Sequence, residues 1–149
     1  MTALLTLFLA AAALQPVNEA AYPNLIRANH GKVVVINFWA TWCGGCRHEM
    51  PSLLDFEKRY AAKGVKLLLV SADESSDEPK ARAFLESLHA PPGTYIKAAR
   101  DDDAFIRAVD PKWTGTLPST FVYDRQGHLA RSFTGEIDIK TLEDVVQGL

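Results

Sequence analysis

Cys43 and Cys46 are the only two cysteines of the 149-residue chain, and they are the side chains best suited to chemistry. At this spacing the two sulfurs can join as a disulfide or separate as a dithiol with little movement of the backbone. The preceding run, Val33–Trp39, is short, apolar and rich in β-branched residues, which predicts a strand buried on both faces. A helical pattern follows the cysteines, so the pair lies where a strand turns into a helix.

This position gives the two sulfurs different properties. Cys43 would lie at the N-terminus of the helix, where unpaired backbone amides and the positive end of the helix dipole stabilise a thiolate. Cys46, one turn further on, would be shielded from solvent. We therefore expect Cys43 to be the attacking sulfur and Cys46 the resolving one.

Two other uses of the pair are less favourable. A structural disulfide between Cys43 and Cys46 would close a very small loop and add little stability through chain entropy. A zinc site needs about four ligands, and none of the four histidines has finger-like spacing to the cysteines. The order of strand, motif and helix favours redox chemistry, with no metal and no cofactor apart from the redox-active disulfide itself.

A second buried strand is predicted at Lys66–Ala72, and two acids, Asp73 and Glu74, follow it. Because active sites of open α/β sheets collect at the carboxyl ends of strands, these acids and the cysteines should share one edge of the sheet. Asn37, in the first strand, is expected to be a buried, hydrogen-bonded amide. An amide cannot titrate, so an acid that serves the resolving sulfur must come from elsewhere in the chain.

The segment NFWATWCGGCRHEMPSL resembles the active-site region of the TlpA/ResA-like thiol-disulfide oxidoreductases of the thioredoxin superfamily. The W-C-x-x-C motif with the trailing R-x-E-x-P is a specific signature. The later segment TLPSTFVYD resembles the cis-proline strand of that family. The matches run in order from about Gly31 to Leu149, and the chain resembles the AhpC/TSA-Redoxin-like branch of that superfamily.

The resemblance implies a site around the dithiol. Pro118 would be cis and lie against the cysteines, and the substrate groove would be formed by Trp42, Gly44, Gly45, Leu117 and Pro118. The stretch VSADES resembles a family segment that places a glutamate beside the dithiol, which nominates Glu74 as the acid that handles the proton of the resolving sulfur. The alternative for Glu74 is a solvated loop acid, and Asp73 is equally placed to be one.

The predicted fold is α/β and thioredoxin-like, with a central mixed sheet flanked by helices and with a helix and a strand inserted after the first βαβ unit. We expect a signal peptide at residues 1–13, a linker at 14–22 and one thioredoxin-like domain at 23–149. The stretch Ala3–Leu14 is apolar apart from Thr6 and is too short to span a bilayer, which needs about 20 residues. It matches the apolar region of a secretory signal with an A-x-A site, although no Lys or Arg precedes it. The alternative is a buried N-terminal helix.

The expected function is reduction of disulfides in exported proteins, as in cytochrome c maturation or envelope redox homeostasis. Expected partners are a substrate protein with a disulfide or thiol and a membrane protein that donates electrons. We expect a monomer in the periplasm or cell envelope. The net charge of −2, with charges of both signs interspersed, gives no basic patch for nucleic acid.

Two alternative functions remain open. A peroxiredoxin-like peroxidase would use the same fold, but its T-x-x-C nucleophile motif is not matched, because Thr41 is only two residues before Cys43. A non-enzymatic copper-binding module would use Cys43, Cys46 and a histidine, since thiolates suit Cu(I).

Overall fold

A six-stranded mixed sheet forms the centre of the protein. The structure is a computed structural model that describes residues 13–149. In chain order the strands are β1 (Gln15–Val17), β2 (Val33–Trp39), β3 (Val65–Ser71), β4 (Tyr95–Lys97), β5 (Ser119–Tyr123) and β6 (Leu129–Thr134). Their order across the sheet is β1-β4-β3-β2-β5-β6. The first four strands of that order are parallel, whereas β5 and β6 are each antiparallel to their inner neighbour.

Within residues 13–149, five helices cover the sheet. They are α1 (Tyr22–Arg27), α2 (Gly44–Tyr60), α3 (Glu78–Ser87), α4 (Asp102–Val109) and α5 (Ile139–Gln147). The pair α3 and β4 follows the β2-α2-β3 unit, which confirms the predicted insertion of a helix and a strand. Two short 3₁₀ turns, Ala61–Lys63 and Ser75–Asp77, complete the connections. None of the helices in residues 13–149 is long and apolar enough to cross a membrane.

The central strand β2 is buried along its whole length because helices pack on both of its faces. Side chains alternate between the faces of a strand, and two separate apolar clusters result. Val33, Val35 and Trp39 join the cluster beneath α2, α3 and α5. Ile36 and Phe38 join the cluster beneath α1 and α4. Asn37, by the same alternation, faces α2.

The linker predicted at residues 14–22 is wrong, because this stretch is part of the folded domain. Gln15–Val17 forms an edge strand parallel to β4. The side chains of Leu14 and Val17 are buried, and the backbone N–H of Leu14 donates to Glu78 Oε1 at 3.0 Å. A strand of three residues is too short to show an alternating pattern, so it could not be predicted from residue types alone. All but the last residue of the predicted signal peptide, 1–13, lies outside the described residues.

Candidate active site

The two cysteines are joined by a disulfide at the start of α2. The S–S distance is 2.10 Å and the two Cα atoms are 5.3 Å apart. Cys46 is completely buried, whereas Cys43 keeps 9% of its surface exposed. The neighbouring Trp42 is 71% exposed. Of the two sulfur-bearing residues, Cys43 is therefore the one that a protein substrate can reach.

Cys43 is the N-cap residue of α2. Its backbone is extended, with φ −94° and ψ 106°, and its Sγ accepts a hydrogen bond from the backbone N–H of Cys46 at 3.2 Å. A helix begins with backbone N–H groups that have no partner inside the helix. One of these groups points at the Cys43 sulfur, where it would also stabilise the thiolate of the reduced protein.

The first turn of α2 lies close to Pro118 at Gly45. A Cβ atom on Gly45 would lie 3.6 Å from Pro118 Cδ and only 3.2 Å from Glu136 Cγ, whereas a Cβ on Gly44 would meet nothing within 4 Å. The Leu117–Pro118 peptide bond is cis. The structure thus brings together the C-x-x-C turn and the proline that the resemblance singled out.

The side chain of Trp113 stabilises the loop that leads to Pro118. The indole Nε1–H donates to Ser119 Oγ at 3.0 Å and to the carbonyl of Thr116 at 3.2 Å. The indole ring also packs against Phe38, with 4.7 Å between ring centroids. Leu117 lies outside the strands and helices. Within residues 13–149 its backbone N–H and C=O make no hydrogen bond to other backbone groups. They form a short unpaired backbone edge beside the disulfide.

Asn37 is buried, as predicted, and it contacts an acid that the sequence analysis did not nominate. Its Nδ2 donates to Glu49 Oε1 at 2.8 Å and to Thr120 Oγ1 at 3.1 Å. The other carboxylate oxygen of Glu49 accepts the backbone N–H of Ile137 at 2.9 Å. Glu49 is only 5% exposed. It lies three residues after Cys46 on α2, so the two side chains are neighbours on one helix face.

Burial raises the pKa of Glu49 above its ordinary value, and the nearby charge of Glu136 raises it further, although the bonds from Ile137 and Asn37 act in the opposite direction. Asn37 can accommodate both protonation states. Its Oδ1 is buried and has no partner among the described residues. Turning the amide over would place Oδ1 where a protonated Glu49 could donate to it. The carboxyl group can therefore exchange a proton without losing its hydrogen bond to Asn37.

Asp73 is a buried structural acid rather than a solvated one. It is 1% exposed and accepts hydrogen bonds from Thr41 N at 3.0 Å, Thr41 Oγ1 at 2.6 Å and Ser71 Oγ at 2.7 Å. These bonds tie the end of β3 to the turn that leads into Cys43. The alternative reading of Asp73 as a loop acid in solvent is wrong, because its side chain points back into the sheet edge.

Glu74, the predicted proton carrier, is exposed and makes no hydrogen bond or ion pair through its side chain within residues 13–149. It lies at the rim of a cavity that Trp42 and Leu117 also line. The catalytic role of Glu74 stays a prediction, and Glu49 is the better-placed candidate for it. Among residues 13–149, no three His, Cys, Asp or Glu side chains converge as a metal site would require.

Comparison with known proteins identifies the family. The family model described as Redoxin matches residues 16–149. The chain belongs to the Redoxin family. Among curated relatives it is 30% identical over 117 residues to the thiol-disulfide oxidoreductase ResA of Bacillus cereus, covering 78% of this chain and 63% of that one. It is 33% identical over 119 residues to ResA of Geobacillus thermodenitrificans, covering 80% and 62%. The chain thus spans a little over three fifths of the length of these Redoxin relatives.

Solved structures show that this Redoxin chain has a thioredoxin-like fold, as predicted. A thioredoxin-family thiol:disulfide interchange protein from Chlorobium tepidum superposes with a TM-score of 0.69 at 22% identity, covering 82% of each chain. A DsbF homologue from Corynebacterium diphtheriae gives a TM-score of 0.71 at 22% identity, covering 83% of this chain and 76% of that one. At such identities the likeness extends to the fold alone.

Two residues of this site, Glu49 and Asp73, were missed as site residues although the sequence held signals for both. Glu49 stands among Cys46, Met50 and Leu53 on the apolar stripe of α2, a position where a charged side chain needs a reason. Asp73 follows Ser71 by two residues, the spacing that keeps side chains on one face at a strand end.

We expect Asp73→Ala to lower the free energy of unfolding by about 3 kcal/mol, because a bond to a charged acceptor contributes about 1.5–3 kcal/mol and buried donors are left unpaired. Urea denaturation monitored by tryptophan fluorescence would measure the change. Asp55→Ala is the matched control, because Asp55 is exposed and pairs only with Arg59 on the surface of α2; it should stay within about 0.5 kcal/mol of the unmodified protein. A loss of less than 1 kcal/mol in Asp73→Ala would contradict this role.

Proposed function

We propose that this protein is a thiol-disulfide oxidoreductase in which Cys43 attacks the disulfide of a substrate protein and Cys46 resolves the mixed disulfide. One observation carries the proposal: the disulfide-bonded pair lies at the start of a helix, with the accessible sulfur at the N-cap and the buried sulfur one turn later. The family and its curated relatives support the same chemistry.

The reaction transfers two electrons from the protein dithiol to the substrate. The Cys43 thiolate forms a bond to one sulfur of the substrate disulfide, and the other substrate sulfur leaves with the electron pair of the broken bond. The Cys46 thiolate then attacks Cys43 Sγ, and the first substrate sulfur leaves as a thiolate. The substrate ends as a dithiol and the protein as the Cys43–Cys46 disulfide.

The exposed surface around Cys43 suits an extended polypeptide. The unpaired backbone of Leu117 can pair with a substrate strand in the manner of β-augmentation. The exposed indole of Trp42 offers apolar contact area on the other side of the sulfur. Gly44, whose Cβ position is open, leaves space between these two walls. Trp42, Gly44, Gly45, Leu117 and Pro118 together form the proposed substrate groove.

Glu49 is proposed to accept the proton of the Cys46 thiol. That thiol is buried and must lose its proton before it can attack Cys43, so a base is needed inside the protein. Glu49 is the buried carboxyl group on the same helix face, and the amide of Asn37 donates to it as observed and could accept from its protonated form after turning over. Since the amide of Asn37 cannot titrate, Glu49 supplies the acid that serves the resolving sulfur.

The resemblance to TlpA/ResA-like proteins favours the reducing direction and a location in the periplasm or cell envelope. The apolar stretch Ala3–Leu14 supports export. A dithiol that works there needs a source of electrons, and we propose a membrane protein as the donor. We propose that the protein acts as a monomer on exported proteins, including those of cytochrome c maturation.

The test of this function is mixed-disulfide trapping with matched single variants. Cys46→Ser should accumulate a covalent adduct with a disulfide-bonded substrate, because the resolving sulfur is absent. Cys43→Ser should accumulate at least about tenfold less, because the remaining sulfur of Cys46 is buried. Non-reducing gels and mass spectrometry would count the adducts. Equal trapping by both variants would refute the assignment of attacker and resolver.

We expect Glu49→Gln to lower turnover by about 10²-fold and to remove one ionisation from the pH–rate profile. The pKa of Glu49 is raised by burial, so the acid-side loss of activity in the unmodified protein should lie above the ordinary glutamate value of 4.5. As pH falls through that pKa, Glu49 becomes protonated and can no longer accept a proton. Stopped-flow reduction of a disulfide peptide across pH would measure the profile.

Glu57→Gln is the control for this experiment. Glu57 also lies on α2 and also has a pKa raised by burial, but its neighbour is Lys66 rather than the cysteines. Its substitution should leave the acid-side ionisation in place. A Glu49→Gln protein with an unchanged pH profile would exclude Glu49 as the base.

A further inference from the structure

A cavity of 320 Å³ opens directly beside the disulfide turn, on the side of the sheet away from α2. Trp42, the residue before Cys43, lines one wall, and Leu117, the residue before Pro118, lines another. The cavity is therefore continuous with the proposed substrate groove. Its size is at the lower end of the range of ligand pockets, about 300–1,000 Å³, which suits a single long side chain.

The floor of this cavity is aromatic and rigid. Phe38, Phe105 and Trp113 line it. Phe38 and Phe105 are almost fully buried and meet edge to face, with 6.0 Å between ring centroids. Trp113 is fixed by its bonds to Ser119 and Thr116. Trp113 is only half-buried, so part of its indole is accessible to an apolar stem, and an indole also attracts a cation.

The rim of the cavity is acidic. Three carboxylates, Glu74, Asp77 and Asp102, line it together with one cation, Lys97. Lys97 is already bound to Asp102, at 2.6 Å, and Asp77 is bound to Lys80, at 2.7 Å. Glu74 is the rim carboxylate that has no ion pair within residues 13–149, and it is exposed to solvent at the mouth.

We propose that this cavity binds a lysine or arginine side chain of the substrate polypeptide, close in sequence to the cysteine that Cys43 attacks. The proposal rests on the proposed function. The stem of such a side chain covers the aromatic floor, and its charged head pairs with Glu74 at the rim. A substrate glutamate would be repelled by the same rim. A substrate leucine would cover the floor but leave Glu74 beside an apolar group.

The shape of the cavity depends on Gly115. This residue has φ +80°, and a Cβ atom there would lie 2.9 Å from Ile106 Cδ1. Both residues line the cavity. A side chain at this position would strain the backbone and would require Ile106 Cδ1 to shift, so the glycine helps to set the shape of the cavity.

Single-turnover reduction of matched peptides tests the proposal. Reduced protein is mixed with peptides that carry one disulfide and differ only in having Arg, Leu or Glu at the positions one and two residues from the cysteine. The protein dithiol is the reductant, so no other electron donor is needed. We expect the Arg peptide to react about tenfold faster than the Leu peptide at low salt and the Glu peptide to be slowest, with the Arg advantage shrinking as salt rises.

Variants of Glu74 measure the effect of its charge on peptide preference separately from the effect of the rest of the cavity. Glu74→Gln should reduce the Arg-to-Leu rate ratio to threefold or less, and Glu74→Lys should make the Glu peptide faster than the Arg peptide. Glu86→Gln makes the same change of charge on α3, at an exposed residue outside the cavity, and should leave the ratio unchanged.

The outcomes distinguish this proposal from the function on which it rests. If the peptides are reduced but the Arg-to-Leu ratio is the same in the unmodified protein and in Glu74→Gln, or Leu is preferred, the cavity assignment alone is overturned. If no peptide is reduced while the dithiol is intact by thiol assay, the proposed function fails and this proposal with it.

Discussion

The hydrogen bond from the backbone N–H of Cys46 to the sulfur of Cys43 is the interaction on which the rest of the site depends. It exists because Cys43 occupies the N-cap of α2, and that position is fixed by the buried face of the helix. Cys46, Met50 and Leu53 of this face are completely buried. The same packing that stabilises the helix therefore orients one sulfur outward and encloses the other.

Polar groups inside the protein are concentrated around this helix start. Residues 13–149 contain six buried polar side chains, and all of them lie near the end of the sheet that faces the start of α2: Asn37, Glu49, Ser71, Asp73, Ser119 and Thr120. Burying a polar group is costly unless it is hydrogen-bonded. Proteins depart from an apolar interior mainly where function requires it. In this chain one part of the cluster, Asp73 with Ser71, holds the turn in place, and in another part Asn37 donates a hydrogen bond to Glu49, the proposed proton acceptor.

The sequence predicted the elements that have strong local patterns. The buried run Val33–Trp39, the cysteine pair and the order of strands and helices around them were all evident from residue types and spacing. The resemblance added the cis Pro118. Strand β1 was not predicted, because three residues are too few to show a periodic pattern of apolar side chains. It is defined by a tertiary contact, its pairing with β4.

The acid of the site illustrates a different limit. Sequence proximity to a strand end suggested Glu74, but strand alternation directs Asp73 back into the sheet edge and leaves Glu74 exposed. The buried acid, Glu49, comes from the helix. It meets Asn37 because odd-numbered residues of β2 face α2. Combining the helical stripe with the strand alternation would have found this pair, whereas reading either element alone did not.

The titration of the Cys43 thiol in the reduced protein tests the central claim most directly, because it measures what the start of the helix does to that sulfur. Thiolate absorbance would be followed against pH in the reduced protein and in Cys43→Ser. The account predicts a group with a pKa at least one unit below the free-thiol value of about 8.5, present in the unmodified protein and absent from Cys43→Ser. A Cys43 thiol that titrates at or above that value would contradict the account.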